Sequence, residues 1–567
     1  MALLEKLYAE FAPWLLSVIE LALVIASVAL IFLSRRKLPL FLSWNSPFCR
    51  LARRKNLAVF AMGTITLAVR VLLIPVWGVP QPAWHDEFSH LLAADTFAHG
   101  RLTNPPHPMW IHFEGFHIIQ QPTYMSMYPP GQGIILAAGQ LLGNPWIGQL
   151  LATALMCACL CWMLQAWVPA HWALLGAILA VLHLALLSYW MNSYFGTSLP
   201  ALAGMLVLGA WPRIEKHLRV RDSLLLGVGL IILANTRPYE GMVFSLPIGV
   251  ALVRLISRKK IHLGRLVQRV ILPLFLILAA GAIATGYYFW RVTGNPFVMP
   301  YQVNRQTYAV APYFIWESPR PEPMYRHAEM RDFYVNWELR SYQAGTTLAG
   351  FALRLARRAG MLWEFFVGPV FTLPLLALPW VFADRKMRLP LIMAGVVIAG
   401  NVVETWTLIH YLAPAVGLFF LLLTQSLRHL RCSKFRARPV GQGLARAVVA
   451  ICIAMVVLRV TAMAAGIPIE PPRQEGNQKR DTIIRQLQNL PGKQLVIVHY
   501  GPHHIPHEDW INNRADIDAA KIVWARDMGD QQNRELLAYF KDRRTWRMNA
   551  DEPAIELQAL SADRAQK

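Results

Sequence analysis

Residues 50–90 read RLARRKNLAVFAMGTITLAVRVLLIPVWGVPQPAWHDEFSH. A basic cluster, a mainly apolar run over about Leu57–Trp77 and an acidic pair, Asp86-Glu87, follow in that order. A helix of about 20 residues crosses the ~30 Å hydrocarbon core of a bilayer, so the apolar run is long enough for one crossing. Lysine and arginine favour the cytoplasmic side. Arg50, Arg53, Arg54 and Lys55 therefore hold the start of this span inside, and Asp86 and Glu87 emerge at the outer membrane surface.

The same reading extends along the 567 residues, of which 55% are hydrophobic and 16% charged. That is too little polar surface for a soluble chain of this size, and it excludes disordered, fibrous and small secreted classes. The block Trp14–Leu33 lacks a basic n-region and a small-residue cleavage site, and Arg35, Arg36 and Lys37 follow it, so it reads as a retained anchor. Further spans fall near 146–168, 171–190, 197–212, 222–235, 240–257, 270–290, 361–382, 389–405, 410–427 and 445–465. Inner loops then collect Arg213/Lys216/Arg219/Arg221, Arg258/Lys259/Lys260/Arg265/Arg269, Arg385/Lys386/Arg388 and Arg428/Arg431/Lys434/Arg436/Arg438. Every strong basic cluster lies on one side if Ile134–Leu142 does not cross, and this short run is read as a surface or re-entrant helix.

The expected fold is mainly α: a polytopic transmembrane helical bundle of about twelve spans, with extracytoplasmic juxtamembrane helices and a small C-terminal α/β domain. Residues 1–56 form the anchor helix and a basic cytoplasmic loop. Residues 57–465 form the transmembrane domain with outer loops 78–130 and 291–358. Residues 466–567 form an outer domain, introduced by the polar linker IPIEPPRQEGNQKRD, with strand-like LVIVHY and KIVWARDM and a helical pattern around 531–543. Multi-pass insertion in a bacterial inner or plasma membrane is expected. The net charge of +22 is accounted for by orientation, not by nucleic acid. None of the six cysteines falls in a predicted outer loop, so no disulfide framework is expected there, and the C-A-C-L-C run at 157–161 reads as helix packing.

Two stretches carry the candidate chemistry. PAWHDEFSHLLAADTFAHGRLTNP, residues 82–105, has the spacing of a helix lying along the interface, with the acidic pair at its N-terminal, dipole-favoured end. YMSMYPPGQGIILAAGQLLG, residues 124–143, is a Tyr128-Pro129-Pro130-Gly131 turn feeding a short apolar helix. Together they resemble the GT-C superfamily of polytopic glycosyltransferases, which includes protein O-mannosyltransferases and aminoarabinose transferases. In that group the first large outer loop carries an Asp-Glu pair, a juxtamembrane helix and a Pro-Pro or Lys-Pro-Pro element; here Tyr128 stands where the Lys usually is.

The resemblance implies a transferase that takes a sugar from a polyprenyl-phosphate carrier on the extracytoplasmic face and joins it to an acceptor hydroxyl of a glycan, lipid or protein. A lipid phosphate is already a good leaving group, so one base at the acceptor suffices, unlike the carboxylate pair of glycosidases. Asp86 is the expected base and Glu87 its catalytic companion, positioning Asp86, binding acceptor or holding a cation. A single displacement inverts the anomeric centre. The departing phosphate needs positive charge. Arg237, in Asn235-Thr236-Arg237-Pro238-Tyr239-Glu240, is the expected phosphate ligand, with His410 and Tyr411; the resemblance implies a basic residue near the start of a late span. His85, His90, Tyr128, Tyr239, Glu240, Tyr301, Asn304 and Arg305 are expected substrate contacts.

No cofactor is required by any motif. A divalent cation is a candidate, with His85, Asp86 and His90 as its ligands and His107, His112 and His117 nearby. HYGPHHIPHED at 499–509, with His503, His504, His507, Glu508 and Asp509, lacks a metal signature and reads as an exposed loop. YRHAEMRDFYVNWELR at 325–340 reads as a surface helix with a solvated face. The alternatives are a transporter or flippase of lipid-linked substrates and a non-catalytic assembly protein. Transport favours midplane charges and matched halves, whereas only Glu364, Glu404 and His183 stand out as ionisable residues in predicted spans and no halves match.

Overall fold

The computed structural model describes residues 2–33, 47–257, 262–436, 438–467, 469–470, 475–502, 504–552 and 555–560. Arg35, Arg36, Lys37, Arg258, Lys259, Lys260, His503 and part of the 467–481 linker lie outside the described residues.

Among the described residues eight helices are long and apolar enough to cross a membrane: Trp14–Leu33, Lys55–Leu72, Pro145–Trp167, Pro238–Ile256, Leu263–Thr293, Arg385–Val403, Ile409–Arg431 and Val440–Ala464. The architecture is that of a polytopic helical membrane protein with a small sheet. Other expected spans take different forms. Ala170–Ala185 is short, and Ser198–His217 and Val220–Ala234 form a tightly packed pair. Residues 361–382 are not one rod: the helix breaks at Gly368, whose φ is +55°, and resumes as Gly368–Leu375 and Leu378–Ala383. Only glycine takes that left-handed backbone without strain.

The bundle core gathers Met156, Leu160, Trp190, Met205, Phe371 and Phe420, and free Cys157 packs among them as a small hydrophobe. Close backbone approach sets its geometry. A Cβ on Gly204 would fall 1.9 Å from the Pro414 carbonyl oxygen, so this glycine lets Ser198–His217 press against the turn that opens Ile409–Arg431.

Pro130–Leu141 has 12 residues, roughly 18 Å at 1.5 Å per residue, and does not reach across a bilayer. It packs between His85–Ala98 and Pro145–Trp167. In the C-terminal part, Gln494–His499 is central, with Ile522–Arg526 and Arg544–Asn549 parallel on either side and Gln558–Ala559 antiparallel at the edge. The helices Glu475–Asn489 and Asp530–Tyr539 accompany these strands. This sheet shares a core with the first large loop: Leu92, Phe113, Ile118 and Tyr124 pack with Leu495, Ile497, Val523 and Ala525. Buried Arg526 fastens the two, donating to the Glu114 carbonyl at 2.8 Å and to Asp509 at 2.9 Å.

Candidate active site

The helix His85–Ala98 starts where the chain turns after Pro82, and Glu87 supplies the end contacts that its first backbone amides lack. Glu87 Oε2 accepts from the amides of Ala83 and Trp84 at 2.7 and 3.1 Å, and Oε1 accepts from that of Tyr194 at 2.7 Å. The side chain is buried, which pushes its pKa up to about 7 against the pull of those three amides. Three backbone amides hold the carboxylate, so Glu87 orders the first turn and with it Asp86, one of the roles expected of it.

Asp86 points elsewhere and keeps 19% of its side chain exposed. It accepts from the Tyr128 hydroxyl and lies 3.0 Å from His117 Nδ1, which is itself 3.1 Å from that hydroxyl. Burial alone would raise its pKa, but the His117 imidazole and the Tyr128 hydroxyl hold the carboxyl well below the usual carboxylate range. His117 reaches this position with φ +59°, a conformation L-residues rarely adopt and one that recurs at functional sites. The His85 ring meets His117 edge-on at 4.5 Å, and the His90 ring lies over Tyr128 at 4.6 Å. Burial lowers the His90 pKa to about 3, so that imidazole is neutral.

His85, Asp86 and His117 bring their ligand atoms within 4.8 Å of one another and form a group able to hold a metal ion. Of the expected set, His85 and Asp86 fall in this group together with His117, one of the nearby histidines; His90 packs its ring on Tyr128 and its buried Nδ1 has no hydrogen-bond partner.

The Tyr-Pro-Pro-Gly turn joins this cluster to the arginine. Gly131 N–H donates to the Asn235 carbonyl at 2.9 Å, and a Cβ on Gly131 would sit 2.6 Å from both that oxygen and Thr236 Cγ2. Only glycine allows the contact. Two residues on, the Arg237 guanidinium lies over the Tyr411 ring at 4.5 Å and 3.6 Å from Glu240 Oε1, a buried oxygen with no hydrogen-bond partner. Burial opposes its charge, but Glu240 and Tyr411 more than restore it and raise the Arg237 pKa. His410 stacks on Phe195 at 4.9 Å, within the electrostatic reach of Arg237 and Asp86. A small cavity beside Arg237 is lined by Tyr239, Glu240, Glu404 and Tyr411 and by apolar Val243 and Leu412. Tyr239 also donates to the Gly400 carbonyl at 3.0 Å.

The second loop behaves differently. Arg305 binds both oxygens of Glu338 at 2.7 and 2.9 Å and donates to the Ala311 carbonyl; buried Asn304 donates to the Ile118 carbonyl. Arg305 is engaged inside the fold, whereas Asn304 keeps a buried Oδ1 without a hydrogen-bond partner. Tyr301 packs in the same apolar cluster as Tyr128 and is the one of the three that borders the site. Residues 325–340 are not a solvated surface helix, because Phe333 and Tyr334 are buried against Phe116 and Tyr308, and Glu338 holds Arg305.

The tail is likewise no exposed loop. His504 pairs with Asp551 at 2.7 Å, Asp509 accepts from Arg526 and Tyr500, and the His507 ring stacks on His85 at 5.4 Å. Sequence reading named His117 only as one of several histidines near Asp86 and His507 only within the tail cluster, and did not foresee that they meet at Asp86 and His85. The first lies on an irregular loop and the second far along the chain; their residue type was the only signal.

No protein-family model and no curated protein sequence matches the chain. Among solved structures it is similar to ArnT from Cupriavidus metallidurans, in the apo state and bound to undecaprenyl phosphate, with 11% identity and a TM-score of 0.48 over 86% of this chain and 92% of that one. It is also similar to the archaeal oligosaccharyltransferase AglB from Archaeoglobus fulgidus, in complex with an inhibitory peptide and a dolichol-phosphate, with 12% identity and a TM-score of 0.46 over 89% and 70% of the two chains.

Proposed function

We propose that the chain is a GT-C-type integral membrane glycosyltransferase. It moves a sugar from a polyprenyl-phosphate carrier to an acceptor hydroxyl at the outer face of a bacterial inner or plasma membrane. The observation that carries this reading is the juncture of an accessible, ionised carboxylate, Asp86, with a buried arginine, Arg237, on elements locked together through Gly131 and Asn235.

The chemistry follows from those two groups. The acceptor oxygen bonds to the anomeric carbon as the bond from that carbon to the phosphate oxygen breaks. The acceptor proton passes to Asp86, and the electron pair leaves with the polyprenyl phosphate. The phosphate departs without help from an acid, so only a base is needed, and the depressed pKa of Asp86 keeps it ionised and free to take the proton. His117 and Tyr128 aim Asp86 and keep it charged. Arg237 faces the leaving phosphate, where a guanidinium offers paired N–H donors. Tyr411 braces it through its ring face. One displacement inverts the configuration.

His85, Asp86 and His117 fit a divalent cation, because two imidazoles and a carboxylate converge and His85 Nδ1 is buried without a hydrogen-bond partner. When bound, such an ion supplies Lewis-acid charge at the reacting centre.

The test is transfer from a panel of prenyl-phosphate sugars by purified protein and by Asp86→Asn. The wild type is expected to glycosylate an acceptor with inversion, and Asp86→Asn to lose about 10²–10⁴-fold in rate while still binding undecaprenyl phosphate. Full activity in the variant, or a product of retained configuration, would overturn the assignment.

A further inference from the structure

Pro145–Trp167 and Ile409–Arg431 both run away from the Asp86 end of the bundle: Trp146 packs with Ala94 on the Asp86 helix, and Tyr411 lies under Arg237. From Tyr411 to Arg428 is roughly 26 Å of helix, so their far ends lie at the opposite membrane face. There they frame a cavity of about 550 Å³ lined by Trp167, Asp384, Lys386, Gln425, Arg428 and His429. That volume is within the range of ligand sites.

The lining is organised. Gln425 is 96% buried and acts as its keystone: it donates to Asp384 Oδ2 at 2.8 Å and accepts from Arg428 at 2.5 Å. Asp384 Oδ1 accepts from the Lys386 amide at 2.9 Å. Neutral donors hold the single carboxylate, whose charge offsets one of the two cations, Lys386 and Arg428, and leaves the lining net positive. His429 adds a ring nitrogen 3.3 Å from Gln425. A strip of exposed apolar side chains, Leu376, Trp380 and Phe382, leads along the lipid-facing surface directly to Asp384. A soluble phosphate has no use for that strip, whereas acyl chains do.

We infer that this cavity is a binding site for the phosphate of an anionic phospholipid, with the headgroup between Arg428 and Lys386 and the chains lying over Trp380 and Phe382. Basic pockets between helices on the cytoplasmic side commonly take such headgroups. The inference does not depend on the chemistry at Asp86.

The full chain, reconstituted in phosphatidylcholine bilayers with and without phosphatidylglycerol and examined by native mass spectrometry, provides the test. Wild type is expected to carry a phosphatidylglycerol adduct and no comparable phosphatidylcholine adduct. The double variant Lys386→Ala/Arg428→Ala is expected to lose at least about tenfold in retention, at about 1 kcal/mol per basic group. Gln425→Leu, which keeps both charges but frees Arg428, is expected to fall between the two. Arg254→Ala, on another helix, should keep the adduct and so report on a merely general charge effect. Monodisperse elution of each variant checks folding. The proposal is overturned by equal retention in the double variant, by equal phosphatidylcholine retention, or by displacement of the adduct with millimolar inorganic phosphate or undecaprenyl phosphate. Transfer activity in phosphatidylcholine is expected to be unchanged in the double variant, which separates this site from the outer one.

Discussion

Arg237 and Arg305 each sit beside a glutamate, and the two pairs are almost equally buried, with the arginines 16% and 11% exposed. Sequence alone gives both the same reading, a guanidinium awaiting substrate. Their surroundings set them apart. Arg305 is bidentate to Glu338, with a carbonyl as a further acceptor, whereas Arg237 stands 3.6 Å from a Glu240 oxygen that itself lacks a hydrogen-bond partner. An arginine whose donors are satisfied holds the fold, and one whose donors are unspent can take a ligand. The acidic pair repeats the contrast: Glu87 is saturated by backbone, while Asp86 stays accessible.

The comparison breaks most visibly at the saturated pair. Arg305→Ala leaves Glu338 buried and uncompensated, and is expected to cost about 3–5 kcal/mol of stability. Thermal unfolding in detergent measures this, and Arg305→Met with Glu338→Leu should recover much of the loss. Arg237→Ala also takes the cation from buried Glu240, so it should lower the unfolding temperature too, but by less because no close hydrogen-bonded pair is broken, and it should cost about 10²–10³ in kcat/KM, the scale of losing one donor to a developing anion. Arg237→Lys is expected to recover only part, because an ammonium lacks the paired fork.

These pairs also mark how far the sequence could be read. The crossings were legible because length and hydropathy determine them, as for Pro145–Trp167 and Val440–Ala464. Asp86 and Tyr128 were legible because a span end and a Pro-Pro-Gly turn are local signals. The saturation of Arg305 was not, since Glu338 lies in a segment whose charges suggest solvent and whose Phe333 and Tyr334 prove to be core. His117 and His507 were hidden for a related reason: long-range packing brings them to Asp86 and His85, and no periodicity records it.

A smaller effect sharpens the acidic pair. Glu87→Ala strands the amides of Ala83, Trp84 and Tyr194, at about 1–3 kcal/mol of stability, and Glu87→Gln should cost less because its carbonyl still accepts. Both should alter kcat in step with unfolding temperature, unlike Asp86→Asn, which should change kcat alone. The smallest effect lies in the sheet. The Asp527 side chain is buried; burial would raise its pKa, but Asn533, the Gly529 amide and Arg547 hold it below the usual value. Its folded pKa is depressed, so its stabilisation is present above the unfolded value and is lost as pH falls through the folded one. Its charged partner Arg547 is half exposed, so the amount is at most about 1 kcal/mol. Hydrogen exchange of Gln494–His499 between pH 6 and pH 3 (about the span of ordinary carboxylate titration) should show a slight loss of protection that is absent in Asp527→Asn.

The division of labour between Asp86 and Arg237 is tested most directly by measuring undecaprenyl-phosphate affinity and single-turnover sugar transfer on the same preparations of wild type, Asp86→Asn and Arg237→Ala. The account predicts that Asp86→Asn binds the carrier like wild type but does not turn over, and that Arg237→Ala loses carrier affinity. Transfer at wild-type rate by Asp86→Asn, or unchanged carrier affinity in Arg237→Ala, would contradict it.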